Sequence, residues 1–298
     1  MKLLVLGGTK FLGRQVVTDA IADGHDVTLF NRGITNPGLF PTATHLVGDR
    51  GRESAPDLAA LETGEWDCVF DFSGFMPAEV RATAALLRDR VARYVYVSSI
   101  AVYQHTERPG ETEDSVLREL PDGAPEVFTM DNYGPLKTRC EQVVTAAYGD
   151  RATLIRTGFV TGPLDDGVDF MSWAASMATD DVVPCKARPE QPIQVLDVRD
   201  FATFMLLVAT KSLAGPINVL GPAEPLTFAG MLETCRRVAG SRAVVEWGGD
   251  RDGFVIQPDD LSRDGTFQIN FDRALAAGFV PRPFEETARD TMRWAGIV

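Results

Sequence analysis

The sequence is poor in the residues that build metal sites and disulfide frameworks. It holds three histidines, His25, His45 and His105, and four cysteines, Cys68, Cys140, Cys185 and Cys235. No CxxC pair occurs and no cluster has metal-ligand spacing, so no metal is expected. A chain of 298 residues buries enough surface to fold without disulfides, and four reduced thiols in a cytoplasmic protein are expected. No run approaches the ~20 apolar residues of a membrane helix. The first apolar run is too short for a signal peptide and lacks a basic flank and a cleavage site. Positive charge is scarce as well. Lys and Arg number 29 against 42 Asp and Glu, a formal net charge of -13. Such a surface repels phosphate backbones and anionic lipids, so neither nucleic acid nor membrane is an expected partner. No repeat or low-complexity segment is visible.

What is present is apolar and rhythmic. "KLLVL" (2–6) is a short continuous apolar run ended by glycine, the pattern of a buried parallel strand. Residues 12–23 carry Val16, Val17, Ala20 and Ile21 on one helical face, and Gly24 stops them. "DVTLF" (26–30) follows as a strand. Further strands are expected at 44–47, 68–72, 93–99 and 152–156, with a helix at 77–90. Strands alternating with helices predict an α/β fold with a doubly wound parallel sheet over residues 1–160. Beyond 160 prolines punctuate short elements. Residues 161–298 are expected to complete the sheet and to form a small C-terminal lobe, with a helix at 201–210, a strand at 216–221 and an amphipathic helix near the end.

The turn after the first strand reads "GGTKFLG". Gly7 fits the tight turn, Gly8 relieves it, and Gly13 lets the helix pack on the strand. A helix N-terminus there attracts a pyrophosphate. Gly7, Gly8, Thr9, Lys10, Phe11, Leu12 and Gly13 are therefore candidate dinucleotide contacts. Lys10 stands where close backbone approach is usual and adds a cation. The second strand ends in Asn31 and Arg32 rather than in a carboxylate. With no acid to take a ribose 2′-hydroxyl, Arg32 can pair with a 2′-phosphate, which predicts NADP in preference to NAD. Arg32 stacked on adenine or facing water is the alternative. After the third strand, Asp49 is either an adenine contact or an acidic turn residue, with Arg50 flanking the ring. Ser73, after the fourth strand, joins the cofactor candidates.

"DNYGPLKTRCEQVV" (131–144) opens a helix on which Tyr133 and Lys137 stand four apart, hence on one face. An ammonium beside a phenol lowers its pKa and makes it a usable acid or base. A cofactor ribose is a second partner for that lysine. "YVYVSSIAVY" (94–103) ends a strand in two serines at the ligand-binding edge of such a sheet. A serine there can polarise a substrate oxygen; capping the strand end is the alternative, more so for Ser98 than for Ser99.

With these motifs, and with "IRTGFVTGP", "IQVLDVRDFA" and "PINVLGPAEPLTFAGMLE" in the same order, the chain resembles the short-chain dehydrogenase/reductase superfamily on its extended or atypical NAD-dependent epimerase/dehydratase side. The resemblance implies a Rossmann-like fold and a catalytic triad of Ser99, Tyr133 and Lys137. Ser99 is chosen because it precedes Tyr103 of the "VY" pair by four. There are departures. Phe159 stands where nucleotide-sugar members usually carry asparagine, and Ile100 and Ala101 where sugar dehydratases carry an acid pair. Lys10 matches a branch resembling chloroplast stem-loop RNA-binding proteins, against which the net charge argues. Candidate substrate contacts are Phe75, Phe159, Phe170, Trp173, Lys186 and Arg188. Burial is the alternative for each aromatic, solvation for the two cations. Residues 104–131 are expected to form a long loop, either a lid or plain surface. The implied activity is hydride transfer at a C–OH/C=O carbon of a small polar or sugar-like metabolite. The alternatives are an epimerase that keeps its cofactor, and a non-catalytic dinucleotide- or RNA-binding regulator. A homodimer is common in the family.

Overall fold

A computed structural model describes residues 1–51, 55–121, 123–167, 169–251 and 261–298. In chain order the elements begin with β1 (Lys2–Leu6), α1 (Phe11–Ala22), β2 (Asp26–Asn31), β3 (Thr44–Val47), β4 (Trp66–Asp71), α2 (Pro77–Leu87), β5 (Val91–Ser99), α3 (Tyr133–Tyr148) and β6 (Ala152–Thr157). Then follow β7 (Phe159–Thr161), α4 (Asp169–Thr179), β8 (Val182–Cys185), β9 (Pro192–Ile193), β10 (Val195–Asp197), α5 (Val198–Lys211) and β11 (Gly215–Val219). The chain closes with β12 (Leu226–Thr227), α6 (Phe228–Ala239), β13 (Val244–Trp247), α7 (Asp272–Ala277) and α8 (Phe284–Trp294).

Seven strands form one sheet in the order β11-β6-β5-β4-β1-β2-β3. β1 to β6 pair in parallel, the doubly wound arrangement expected from the alternating pattern. The order reverses between β1 and β4, the position at which such sheets bind ligands. The strands read as apolar runs because the sheet is covered on both faces. Leu4, Leu6, Val69, Tyr94 and Tyr96 meet Val80, Ala84, Cys140 and Val144 in one buried cluster.

The chain divides into two compact units. One comprises residues 1–104, 115–157 and 201–218; the other comprises 105–114, 158–200 and 219–298. The expected long loop is thus not one piece. Its residues 105–114 belong to the second unit, where the Gly110 N–H donates to the Gln268 carbonyl (2.7 Å) and Asn270 N–H to that of Glu111 (2.9 Å). That unit has its own core, in which Phe284, Ala288 and Met292 of α8 lie beside Met177, Phe228 and Leu232. Among the described residues no helix is long and apolar enough to cross a membrane. All four cysteines are free and buried.

α3 is pinned to β6 by charge inside the first unit. Glu141 accepts from Arg156 Nε (3.0 Å) and Nη2 (2.7 Å), both side chains being nearly inaccessible. Arg156 Nη1 donates to the Tyr103 hydroxyl (3.1 Å), which donates on to Asn218 (2.6 Å). Removing one member leaves the other charge buried alone. Glu141→Ala is expected to cost about 3–5 kcal/mol, read as a lowered denaturation midpoint with an unchanged slope.

Candidate active site

The chain leaves β1 through Gly7 and Gly8 at φ +101° and +86°, values that residues with a β-carbon adopt only under strain. A β-carbon on Gly13 would lie 2.8 Å from the Gly8 Cα. α1 therefore starts against the turn only because that atom is absent. Asn31 Nδ2 donates to the Gly7 carbonyl (3.2 Å) and Asn36 Nδ2 to that of Thr9 (2.9 Å), tying the turn to the end of β2 and the segment beyond it. Phe11, at φ +25°, is the one residue of the turn outside the left-handed habit of glycine that still has positive φ.

A groove of about 340 Å³ runs over this turn, with Gly7, Gly8, Thr9, Lys10, Leu12, Gly13, Asn31, Arg32, Ser73, Phe75 and Val97 in its walls. A second cavity of about 180 Å³ shares Gly7, Asn31, Arg32, Ser73 and Phe75 with the first and extends to Asp49 and Arg50. The expected cofactor residues other than Phe11, Tyr133 and Lys137 thus line one pair of adjoining cavities. The missing β-carbons form a cradle of the kind a pyrophosphate fills. Asp49 is an Asx-turn residue, its Oδ1 accepting from the Gly51 N–H (2.8 Å).

Arg50, expected to flank an adenine ring, also has a partner within the protein. Its guanidinium forks onto Asp71, Nη1 to Oδ1 at 2.5 Å and Nη2 to Oδ2 at 2.9 Å. Further bonds reach Ser73 Oγ (3.0 Å) and Thr83 Oγ1 (2.8 Å). The reason is Asp71, fully buried at the end of β4 and needing a counter-charge. Tyr94 donates to the same carboxylate (2.6 Å). Burial pushes the Asp71 carboxyl up, and Arg50 outweighs it and holds it below the usual carboxylate value. The role of Asp71 and its pairing with Arg50 escaped sequence reasoning; the one signal is a lone acid ending an apolar strand, "CVFD".

Tyr133 is the first residue of α3, beside the end of β5. A β-carbon on Gly134 would fall inside contact distance of the Ala101 carbonyl oxygen. The glycine of "YGPLK" therefore lets the helix start against the β5 exit, and sequence reasoning passed over it. The Ser99 side chain neighbours the Tyr133 phenol. Burial raises that phenol above its ordinary value, and the neighbouring Ser99 works against the rise. Ser99 Oγ also accepts from the Ala101 N–H (3.2 Å). Backbone capping thus falls to Ser99, while Ser98 Oγ is buried with no partner, the reverse of the expected weighting. Phe128 packs edge-on to the Tyr133 ring at 6.3 Å.

Lys137 departs from the expected pairing. Its ammonium turns to the sheet, donating to the carbonyls of Val97 (2.7 Å) and Gly74 (3.2 Å) over the Tyr96 ring. Burial pulls it down from 10.5 to about 8, against the upward pull of Cys140, Asp71 and Glu141. The Tyr133 phenol is raised rather than lowered. One turn of helix separates the two residues, but the carbonyls at the strand ends claim the longer side chain. Ser99, Tyr133 and Lys137 line neither cavity; Val97, which Lys137 holds, lines the larger one.

The remaining candidates lie in the second unit. Phe170 and Trp173 are corrected to core residues: both sit in its buried cluster, Trp173 edge-on to Phe228 at 5.2 Å. Phe159 packs against that cluster. Arg188 pairs with Asp264 (2.6 Å). The Lys186 N–H donates to the Arg251 carbonyl (2.8 Å), and its side chain is half-buried.

No protein-family model matches the chain. The chain is similar to the D-erythronate dehydrogenase of Cupriavidus necator, at 26% identity, covering 100% of this chain and 99% of that protein. It is similar also to the chloroplast stem-loop binding protein of 41 kDa b from Arabidopsis thaliana, at 26% identity over 254 residues. That match takes in 80% of this chain but only 63% of the relative's length. Among solved structures, the UDP-glucuronic acid 4-epimerase of Bacillus cereus in complex with NAD superposes with a TM-score of 0.75, at 15% identity, covering 99% of both chains. The chain shares the fold of that epimerase. The Rossmann-like sheet implied by the motifs is therefore present.

Gly134→Ala tests how the helix start is seated. Overpacking against Ala101 is expected to cost about 1–3 kcal/mol, seen as a lower Tm.

Proposed function

We propose that the chain is an NAD(P)-dependent oxidoreductase acting at a C–OH/C=O carbon of a small polar, sugar-like metabolite. The observation that carries this reading is the half-buried phenol of Tyr133 beside Ser99 at the carboxyl edge of a parallel sheet whose glycine turn opens a groove. The full-length similarity to a D-erythronate dehydrogenase supports it and suggests a polyhydroxy acid or related alcohol as substrate. Gly7 to Gly13 would hold the pyrophosphate, Ser73 and Lys137 the ribose side, and Lys10 and Arg32 a 2′-phosphate. The dinucleotide would supply or accept the hydride.

The chain's own residues handle the oxygen and its proton. Ser99 positions the substrate oxygen. Tyr133, with its raised pKa, is a neutral phenol at physiological pH and so a proton donor to a carbonyl oxygen. Tyr133→Phe is expected to lower kcat about 100- to 10,000-fold. Nicotinamide absorbance must change stoichiometrically with product; turnover without such change would point to the epimerase instead.

NADP is the preferred form in this reading. Both Lys10 and Arg32 line the groove, and no carboxylate ends β2. Arg32→Ala is expected to cost about 1.5–3 kcal/mol of NADPH binding and little of NADH binding. Equal losses in a fluorescence titration would remove the 2′-phosphate contact.

A further inference from the structure

Two deeply buried charges beside the groove have no part in the proton transfer. We propose that Asp71, held by Arg50 and Tyr94, is a positioning residue that sets the Lys137 ammonium through the Ser73–Gly74 turn. The purpose of that ammonium rests on the oxidoreductase reading; the linkage rests on geometry alone.

Asp71 Oδ1 accepts from the N–H of Ser73 (3.1 Å) and of Gly74 (2.9 Å). The carbonyl of the same Gly74 accepts from Lys137 Nζ (3.2 Å) and from the Tyr96 hydroxyl (2.8 Å). The turn has no slack. A β-carbon on Gly74 would meet Val80 at 2.7 Å, Asp71 Oδ2 at 2.9 Å and Tyr96 at 3.0 Å. Moving the carboxylate therefore moves the carbonyl on which the lysine rests. Burying an ion pair seldom adds stability over apolar packing, so stability alone is a weak reason for Arg50 and Asp71 to be there. A carboxylate that accepts two amides of the turn beneath Lys137 gives a better one. Arg50 itself lines the smaller cavity, so a ligand at that end would bear on the same pair.

The charged and titratable groups facing Lys137 come from several elements. Asp71 of β4, and Cys140 and Glu141 of α3, pull its pKa up; Arg50 pulls it down; burial outweighs them all. Tyr96 of β5 presents its ring at 4.3 Å. Asp71 and Arg50 thus act on the amine with opposite sign, which makes the linkage measurable without turnover.

The test is competitive amine acetylation of the full cofactor-free chain, read at Lys137 by mass spectrometry across pH. Asp71→Asn is expected to lower the Lys137 midpoint and Arg50→Gln to raise it. On the oxidoreductase reading both also lower kcat, by about 10- to 100-fold for a displacement near 1 Å. Unchanged midpoints in folded variants would overturn the proposal. Should a single variant not fold, the double variant Arg50→Met/Asp71→Leu leaves no charge unpaired; its Lys137 midpoint is expected to move from about 8, and a wild-type midpoint would again overturn the proposal. A wild-type chain without any nicotinamide turnover would defeat the oxidoreductase reading alone, and the acetylation result would still decide the linkage.

Discussion

One local hydrogen bond recurs along the sheet edge, and the site is assembled around it. At or just past the ends of β2, β3, β4 and β5, a side-chain oxygen accepts the N–H two residues on. Asn31 takes Gly33 (2.8 Å), Asp49 takes Gly51 (2.8 Å), Asp71 takes Ser73 (3.1 Å) and Ser99 takes Ala101 (3.2 Å). Each parallel strand must end with backbone groups that the ladder no longer pairs, and a polar residue there satisfies one and bends the chain. Because β1 to β6 run in parallel, all four bends fall on the same edge. The reversal of strand order between β1 and β4 leaves room between them. The groove walls at Asn31, Asp49 and Ser73 follow from those bends rather than from any dedicated structure.

Behind that edge the charges are arranged in depth. Arg50 with Asp71 and Arg156 with Glu141 are paired within the first unit, and Lys137 lies between neutral carbonyls. Pairing of this kind adds little net stability but makes each member intolerant of losing its partner. The helix that carries Lys137 is thus held by Glu141 on one side, while the turn below the ammonium is held by Asp71. The acidic surface of the chain is a separate matter; it governs which partners approach, not how the edge is built.

The strands were legible because buried parallel strands are continuous apolar runs ended by polar or glycine residues. β1 and β3 fall where "KLLVL" and "THLV" place them, and β4 and β5 begin two residues earlier than expected. The glycine turn was legible for the same reason: its spacing reports backbone approach. What the sequence could not carry is pairing across distance. Arg50 and Asp71 are 21 residues apart, and nothing in either segment names the other. Helical spacing placed Tyr133 and Lys137 on one face, but it could not say that strand-end carbonyls would capture the lysine. By type alone, Phe170 and Trp173 could face a ring or fill the lobe's own core. Only packing shows that they fill a core. The segment 105–114 reads as loop in either unit, and its hydrogen bonds to the stretch around Gln268 decide where it belongs.

Desolvation bears on Tyr133 and Lys137 in the same sense. It raises the Tyr133 phenol and lowers the Lys137 ammonium, so each is biased toward its neutral form. A phenol so placed gives up a proton readily only to an oxygen that is gaining negative charge, as a carbonyl does while it is reduced. Taking a proton from an alcohol needs the phenolate, which this setting disfavours until a further positive charge arrives nearby. Lys137 cannot supply that charge from its seat on the Gly74 and Val97 carbonyls without leaving them. On the oxidoreductase reading, the chain alone is therefore set for reduction, and oxidation depends on charge that a bound dinucleotide would bring.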